Sequence, residues 1–162
     1  MKLFIIGAAG SGKTTLARRL SERYDIAAVN LDDLFWNNSP GGYGNRRDEG
    51  ERAALFDAVL RNDSWIIEGA YVEWPLRAMK EADRIIYLKI PRRTINYRIW
   101  RRFFRRRIGL ERQTKKETFR GVCELIKWNS HQIEAIDALM TRMKDEKQID
   151  IIVNIPLKSI TP

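Results

Sequence analysis

Eight consecutive residues near the start of the chain match the spacing of a phosphate-binding loop. Gly7, Gly12, Lys13 and Thr14 occupy the four fixed positions of the pattern G-x-x-x-x-G-K-[ST]. Glycines let the backbone curl so that several N–H groups point inward at phosphate oxygens, while the lysine reaches the β- and γ-phosphates and the hydroxyl ligates Mg²⁺. The pattern predicts that ATP and Mg²⁺ bind at Gly7, Ala8, Ala9, Gly10, Ser11, Gly12, Lys13, Thr14 and Thr15.

The residues on both sides of this loop predict the strand and the helix that it requires. Residues 2–6 form a short apolar run, which is typical of a buried parallel strand. Residues 13–24 follow as a helical pattern with Leu16 and Leu20 on one face. The helix N-terminus adds partial positive charge where the phosphates are expected.

Acidic residues end two further strand-like segments. Asp32 and Asp33 follow residues 26–31, and Glu68 ends residues 64–68. Ligands of open parallel sheets bind beyond the carboxyl ends of the strands, so these acids are expected near the loop. Asp32 is a candidate to hold the metal or to accept a proton from an acceptor hydroxyl. The predicted metal ligands are Thr14, Asp32 and Glu68.

Each of these acids also has a structural interpretation. Either aspartate could cap a helix that contains residues 34–36, and Glu68 could be a solvated strand end. Glu is also longer than the Asp that phosphate-loop proteins more often place there, which leaves its direct contact with a metal open.

Residues 92–107 concentrate the positive charge of the chain. The net charge is +9 over 162 residues, and this segment holds eight arginines and no acid. On a helical wheel, Arg98, Arg101, Arg102 and Arg105 share an arc about 100° wide. Four like charges on one stripe are unfavourable without anions, and arginine binds phosphate bidentately and stacks on bases. The stripe therefore predicts contacts to ATP, with a solvated basic face as the alternative.

The opposite arc of the same segment is apolar and is expected to face the core. It contains Ile95, Tyr97, Ile99, Trp100, Phe103 and Phe104. A second core-facing stripe runs through a long helical pattern at about 115–145, with one gap near Ser130 where a break is expected. Its members are Phe119, Val122, Ile126, Ile133, Ile136, Met140 and Met143.

The acceptor site is predicted from the segments between these elements. Gly69 would let a substrate approach the backbone, and Arg46 and Arg47 could bind an anionic acceptor, although surface solvation explains the arginines equally well. The Gly-, Pro- and Asn-rich residues 37–45 are either a gating loop or a plain connector. The predicted acceptor contacts are Asp32, Asp33, Arg47, Gly69, Tyr71 and Arg77.

Strand-like and helical segments alternate along the chain. This alternation predicts an α/β fold whose mostly parallel sheet is covered by helices on both faces, and the length favours a single domain over residues 1–162. The predicted strands are 2–6, 26–31, 64–68, 84–88 and 149–153. The predicted helices are 13–24, about 47–62, about 74–82, 92–107 and about 115–145.

Composition narrows the function classes. The single cysteine, Cys123, excludes an internal disulfide and suits a cytoplasmic protein, and the single His131 cannot form a metal cluster alone. No run is long enough to cross a membrane. The sequence lacks the N-K-x-D and D-x-x-G motifs of a GTPase switch. A monomer or a weak dimer is expected.

Taken together, these blocks resemble the DNA topology modulation protein family, which is similar to adenylate kinase-type phosphate-loop kinases. The resemblance covers about residues 1–145. It is carried by Gly7–Thr14, Leu31–Trp36, Trp65–Tyr71, Ala82–Arg92 and the arginine-rich helix.

The resemblance implies a phosphate-loop NTPase fold with three layers, a five-stranded sheet of order 2-3-1-4-5 and a short arginine-rich lid at about 92–112. It implies catalytic roles for Lys13, Asp32, Arg98 and Arg102, with the two arginines matching lid residues of such kinases. The expected activity is ATP-dependent phosphotransfer to a small molecule, a nucleoside or nucleotide. The alternative is an ATPase that binds DNA or RNA through the arginine-rich helix, whose aromatic residues could stack on bases.

Overall fold

The computed structural model describes residues 1–37, 45–110 and 118–153. Within these residues a parallel sheet of five strands has the order β2-β3-β1-β4-β5, as predicted. The strands are β1 (Lys2–Ile6), β2 (Ala28–Asn30), β3 (Trp65–Gly69), β4 (Arg84–Leu88) and β5 (Ile149–Ile152). The helices are α1 (Lys13–Tyr24), α2 (Leu31–Phe35), α3 (Glu49–Leu60), α4 (Leu76–Glu81), α5 (Arg92–Arg107) and α6 (Phe119–Met143).

The central strand β1 is apolar throughout its last four residues because both of its faces are covered. Phe4 and Ile6 lie in one buried cluster with residues of α2, α3, α4 and α6. Leu3 and Ile5 lie in a second cluster with residues of α1 and α5. Alternate residues of a strand point to opposite faces, so one strand contributes to two cores. The prediction of helices on both faces is confirmed.

The second strand ends earlier than predicted because the next residues begin a helix. The Asn30 side chain accepts a hydrogen bond from the Asp32 backbone N–H at 2.8 Å and caps α2. Asparagine is among the preferred capping residues. Asn30 therefore takes the capping role considered for Asp32 and Asp33, and it leaves both aspartates in the first turn of α2.

The apolar patterns of α5 and α6 were only partly correct. Ile95, Ile99 and Phe103 are buried, but Tyr97 is 66% exposed and Phe104 is 56% exposed. In α6 the expected core residue Phe119 is exposed, and the helix continues without interruption through residues 129 and 130. The apolar side of α5 is thus narrower than the wheel predicted.

Some predictions concern residues outside those described. These include most of the 37–45 loop, the end of the 92–112 lid segment and the last residues of the proposed single domain. In the part of the chain that is described, every helix falls short of the length and apolar character that a bilayer-spanning segment needs.

Candidate functional site

The loop between β1 and α1 leads into the N-terminus of α1, which has no side-chain cap. Gly10 and Gly12 have φ angles of +86° and +104°, which glycine adopts without strain. Gly12 is the N-cap of α1 and makes no side-chain capping bond. Since the first N–H groups of a helix have no partner within it, the loop presents donors that suit an anion.

Lys13 lies at the base of this loop and is only 9% exposed. Its Nζ donates a hydrogen bond to the Ala8 carbonyl oxygen at 3.1 Å. Burial lowers the pKa of Lys13, while the carboxylates of Glu68 and Asp32 oppose that shift and the Arg102 guanidinium adds to it. Two carboxylates and one further cation thus act electrostatically on the Lys13 amine.

Glu68 joins the end of β3 to the start of α1. The Thr14 hydroxyl donates a hydrogen bond to Glu68 Oε1 at 2.7 Å, and Glu68 is 3% exposed. Burial raises the pKa of Glu68, and Lys13 and the Thr14 hydrogen bond partly offset the shift. Glu68 is thus a buried, hydrogen-bonded carboxyl and not a solvated strand end.

Asp32 is held by an aromatic hydroxyl from the segment after β3. The Tyr71 hydroxyl donates a hydrogen bond to Asp32 Oδ1 at 2.7 Å. Burial raises the pKa of Tyr71, and the neighbouring Asp32 carboxylate adds to the shift, so the phenol remains a donor. The Tyr71 ring also stacks on Phe35 of α2 with ring centroids 5.1 Å apart.

Two arginines of α5 lie close to the phosphate loop. Arg98 Nη1 donates a hydrogen bond to the Ser11 carbonyl oxygen at 3.0 Å. Arg102 acts electrostatically on Lys13. Gly10 lies under the same helix, since a Cβ atom there would be 3.1 Å from Ile99 Cγ1. The predicted lid arginines are therefore brought to the loop.

Two cavities meet at the loop. The first, which we name the loop cavity, has a volume of about 360 Å³. The second, the strand-end cavity, has a volume of about 440 Å³. The loop cavity is lined by Gly10, Gly12, Lys13, Thr14, Thr15, Arg98, Ile99, Arg101 and Arg102. The strand-end cavity shares Gly10, Lys13, Thr14 and Arg102 and adds Asp32, Trp36, Glu68, Gly69, Tyr71 and Trp128, among others.

Asn129 is a site residue that sequence reasoning missed. Its side-chain amide accepts a hydrogen bond from the Ala9 N–H at 3.0 Å and donates one to the Ala9 carbonyl oxygen at 2.9 Å. Asn129 is 1% exposed. The gap in the apolar stripe of α6 was the available signal, because a polar residue on a buried face requires a hydrogen-bonding partner.

Three of the residues predicted to contact the acceptor make structural contacts within the protein. Arg47 donates to the Leu34 carbonyl oxygen at 3.2 Å and pairs with Glu51. Arg77 forms exposed ion pairs with Asp57 and Glu81, and it lines neither cavity. Gly69 lines the strand-end cavity, but a Cβ atom there would lie 2.6 Å from Leu31 Cδ1.

The close approach of Leu31 is by itself a reason for glycine at position 69, and the predicted contact of Gly69 with an acceptor stays a prediction. Asp33 lines a third cavity beside α1, together with Thr14 and Glu68.

The oxygen donors near the loop suit Mg²⁺. This ion usually takes one or two carboxylates and completes its coordination with phosphates and water. The Thr14 hydroxyl and the carboxylates of Glu68 and Asp32 line one cavity and match that donor set. Among the described residues, no group of three or more His, Cys, Asp or Glu side chains is arranged to hold a metal ion.

Comparison with known proteins gives a family and a fold. The family model AAA_18, described as an AAA domain, matches residues 3–120. The Uncharacterized protein YqaC of Bacillus subtilis (strain 168) is 30% identical over 105 residues, which cover 64% of this chain and 57% of that protein. An adenylate kinase of Mesomycoplasma hyopneumoniae (strain 7448) is 27% identical over 124 residues, with 64% of this chain and 58% of that protein covered.

The chain thus spans less than three fifths of the length of these curated relatives. Among solved structures, a shikimate kinase from Bacteroides thetaiotaomicron has a similar fold, with a TM-score of 0.56 at 18% identity, and 98% of this chain and 88% of that chain are covered. The expected phosphate-loop kinase fold is confirmed, whereas the resemblance to topology modulation proteins stays a prediction.

Proposed function

Because this chain belongs to the AAA_18 family of AAA domains, we propose that it is an ATP-dependent phosphotransferase whose acceptor is a small molecule, a nucleoside or nucleotide. One observation carries the proposal: Lys13, Thr14 and Arg102 line both cavities at the point where these cavities meet. Phosphoryl transfer depends on positioning and charge neutralisation more than on covalent chemistry. A donor site and an acceptor site that share the cations Lys13 and Arg102 would provide this positioning and charge neutralisation.

In this proposal the loop cavity takes the triphosphate. The N–H groups at the start of α1 and the Lys13 amine bind its oxygens, and Arg98 and Arg102 approach from α5. Thr14, Glu68 and Asp32 would hold Mg²⁺. When bound with the nucleotide, Mg²⁺ neutralises charge on the β- and γ-phosphates.

The proposal is tested by measuring ADP release with Mg-ATP against a panel of nucleosides, nucleotides and sugars. We expect at least one acceptor to raise ADP release well above the acceptor-free rate. Lys13→Ala should lower that turnover by about 100- to 1,000-fold, because the lysine stabilises charge in the transition state. Lys80→Ala, an exposed substitution on α4, is the matched control and should keep full activity.

If no acceptor raises ADP release, and calorimetry detects no heat with millimolar Mg-ATP, the phosphotransferase assignment is wrong. Calorimetry on folded protein separates a wrong acceptor panel from a failure to bind nucleotide.

A second candidate function is favoured by the outer side of α5. Tyr97 and Phe104 are exposed there among arginines, where they could stack on bases of single-stranded DNA or RNA. Tyr97 and Phe104 do not line the loop cavity, whereas Arg98, Arg101 and Arg102 do. Nucleic-acid binding could therefore accompany phosphotransfer.

A further inference from the structure

The wall of the loop cavity that α5 forms is positively charged. The cations that line this cavity are Lys13, Arg98, Arg101 and Arg102. The described lining of the cavity contains no carboxylate, and α5 itself contains no acidic residue. The carboxylates of Glu68 and Asp32 act electrostatically on the lysine, but they line the strand-end cavity. The loop cavity therefore has its positive charge on the side of α5.

Two of these arginines are placed to bind an anion that enters the cavity. Arg98 Nη1 donates its hydrogen bond to a neutral group, the Ser11 carbonyl oxygen, at 3.0 Å. Arg101 lines the cavity and is exposed to solvent. Glu134 of the neighbouring helix α6 pairs with Arg92, at the start of α5 and outside the cavity lining. A phosphate group in the cavity therefore meets guanidinium groups that can bind it bidentately.

The arginines continue along α5 beyond the loop cavity. Ile99 contacts the phosphate loop, since a Cβ atom at Gly10 would lie 3.1 Å from Ile99 Cγ1. Arg101 and Arg105 follow on the same side of the helix, because residues four apart lie together. From Arg98 to Arg105 this arginine stripe extends about 10 Å along the helix axis, at the rise per residue of an α-helix. A linear ligand with one end at the loop can therefore follow the helix.

A nucleotide offers phosphates to only part of such a stripe. Beyond the triphosphate, ATP continues as a ribose and a base, which are uncharged, and Mg²⁺ neutralises part of the charge on its β- and γ-phosphates. An arginine could stack on the base, but every phosphate added to a chain brings oxygens that bind a guanidinium. Like charges along one side of a helix are unfavourable unless anions lie beside them. The stripe therefore suits a chain of more than three phosphates.

We propose that the loop cavity and the arginine stripe bind linear inorganic polyphosphate, and that this chain donates its terminal phosphoryl group in place of ATP. This inference rests on the proposed phosphotransferase function and broadens its donor. The acceptor oxygen forms a bond to the terminal phosphorus, and the bond from that phosphorus to the bridging oxygen breaks. The shortened chain leaves with the electron pair, and any proton on the acceptor oxygen passes to solvent.

The first test supplies polyphosphate as the only donor, without nucleotide. The acceptor is the one that gives the highest ADP release with Mg-ATP, and mass spectrometry follows its phosphorylated product at constant free Mg²⁺. We expect product to form, and Lys13→Ala should lower its rate by about 100- to 1,000-fold, as it should with ATP. Turnover of ATP without any product from polyphosphate overturns this inference but leaves phosphotransfer intact. No product from either donor removes the proposed function itself.

The second test compares three inhibitors of Mg-ATP turnover: tripolyphosphate, a longer polyphosphate and a single-stranded oligonucleotide. Both polyphosphates should compete with Mg-ATP. The Ki should fall by about 10-fold or more from tripolyphosphate to the longer chain, because further phosphates reach arginines outside the cavity. The oligonucleotide should not compete with Mg-ATP. Equal Ki values for the two chains, or competition by the oligonucleotide, would show a general attraction of polyanions and overturn the inference.

Arg101 supplies the third test, because it is exposed and also lines the loop cavity. Arg101→Gln should reduce the difference in Ki between the two chains to about 3-fold or less, and Arg101→Lys should keep part of it, since lysine retains the charge but not the bidentate contact. Arg93→Gln removes an exposed charge of α5 that lines neither cavity, so this matched control should keep the full difference.

Two results with Arg101→Gln would contradict a polyphosphate stripe. One is an unchanged difference in Ki between the two chains. The other is a KM for ATP that rises more than the Ki of the longer chain, which would assign Arg101 to the base or ribose of the nucleotide.

Discussion

Glu68 lowers the stability of the folded state when it is ionised, and it is also a candidate ligand of Mg²⁺. It is a buried carboxyl at the end of β3 whose pKa is raised by burial. A folded pKa above the unfolded value means that the native state binds the proton more tightly, so this group favours unfolding progressively more as the pH rises from the unfolded pKa through the folded one. The ionised form is nevertheless the one that binds Mg²⁺.

We therefore expect opposite effects of Glu68→Gln on stability and on activity. The variant should unfold at a higher Tm than the natural protein at pH 7, because glutamine removes the buried charge. The difference should shrink as the pH falls through the raised pKa of Glu68, where the natural side chain is itself neutral. Thermal unfolding at several pH values measures this, and turnover of Mg-ATP should fall by about 10- to 100-fold.

The matched control is Glu146→Gln, which removes an exposed carboxylate beyond the end of α6. Its Tm should follow that of the natural protein at every pH. A Tm difference for Glu68→Gln that is constant with pH would contradict the assignment of a raised pKa to this residue.

At the scale of elements, α6 ties the phosphate loop to the segment after β3. Asn129 makes two hydrogen bonds to Ala9 of the loop, and Gln132 donates one to the Ala70 carbonyl oxygen. Trp128 of the same helix lines the strand-end cavity. The three side chains share one side of the helix, since residues three and four apart lie together. One helix thus contacts both the phosphate loop and the segment after β3.

Asn129 should therefore act as a positioning residue for the loop. Asn129→Leu has a similar size but leaves the Ala9 N–H and carbonyl oxygen without partners, which costs about 1–3 kcal/mol for a buried group. We expect KM for ATP to rise about 10-fold, with a smaller change in kcat, because the loop donors lose their fixed position. Steady-state kinetics below the Tm of the variant measure both constants.

Asn129→Asp gives the sharper comparison. It can still accept from the Ala9 N–H but cannot donate to the carbonyl oxygen, so its KM for ATP should lie between those of the natural protein and Asn129→Leu. Ser130→Ala, on the same helical turn, is the control. A lower Tm with unchanged KM for ATP in Asn129→Leu would show a purely structural role.

Helices and strands were predicted best where the spacing of apolar residues fitted only one type of secondary structure. Residues 2–6 and 92–107 were assigned correctly because a continuous apolar run and a period near 3.6 are unambiguous there. A helix was considered for residues 34–36 only as an alternative, and the start of α2 at Leu31 was missed because Asn30 looks like part of an apolar strand until its side chain is seen capping the next turn. The prediction that Tyr97 and Phe104 face the core was wrong, because a helical wheel gives the direction of a side chain but not the width of the helix face that neighbouring elements cover.

Within the candidate site, spacing could predict residues whose positions are fixed relative to each other along the chain, and it missed contacts between residues that are far apart in sequence. Lys13 and Thr14 follow from a motif whose positions are fixed relative to each other. Arg77 and Asn129 depend on partners 20 and 120 residues away, which no single-sequence pattern specifies. The expectation that Arg77 binds the acceptor was made from proximity along the chain and stays a prediction, while in the structure Arg77 pairs with Asp57 and Glu81.

At the scale of the whole molecule, the charge is divided between two sides of one helix. The chain carries +9, and α5 holds eight arginines. Arg98, Arg101 and Arg102 line the loop cavity, whereas the exposed Tyr97 and Phe104 do not. A basic surface with exposed rings attracts polyanions and can stack on their bases.

The second candidate function therefore predicts two separable readouts for single-stranded oligonucleotides. If the outer side of α5 binds them, affinity must fall steeply between 50 and 200 mM salt, by about 10-fold or more, because each neutralised phosphate releases counterions. A variant carrying Tyr97→Ala and Phe104→Ala should weaken oligonucleotide binding, while Arg93→Ala should reduce the salt slope by about one. Mg-ATP turnover should persist in both variants, since none of these side chains lines the two cavities. Fluorescence anisotropy across the salt series measures the binding, and a weak, salt-independent signal would exclude nucleic acid as a partner while leaving phosphotransfer unaffected.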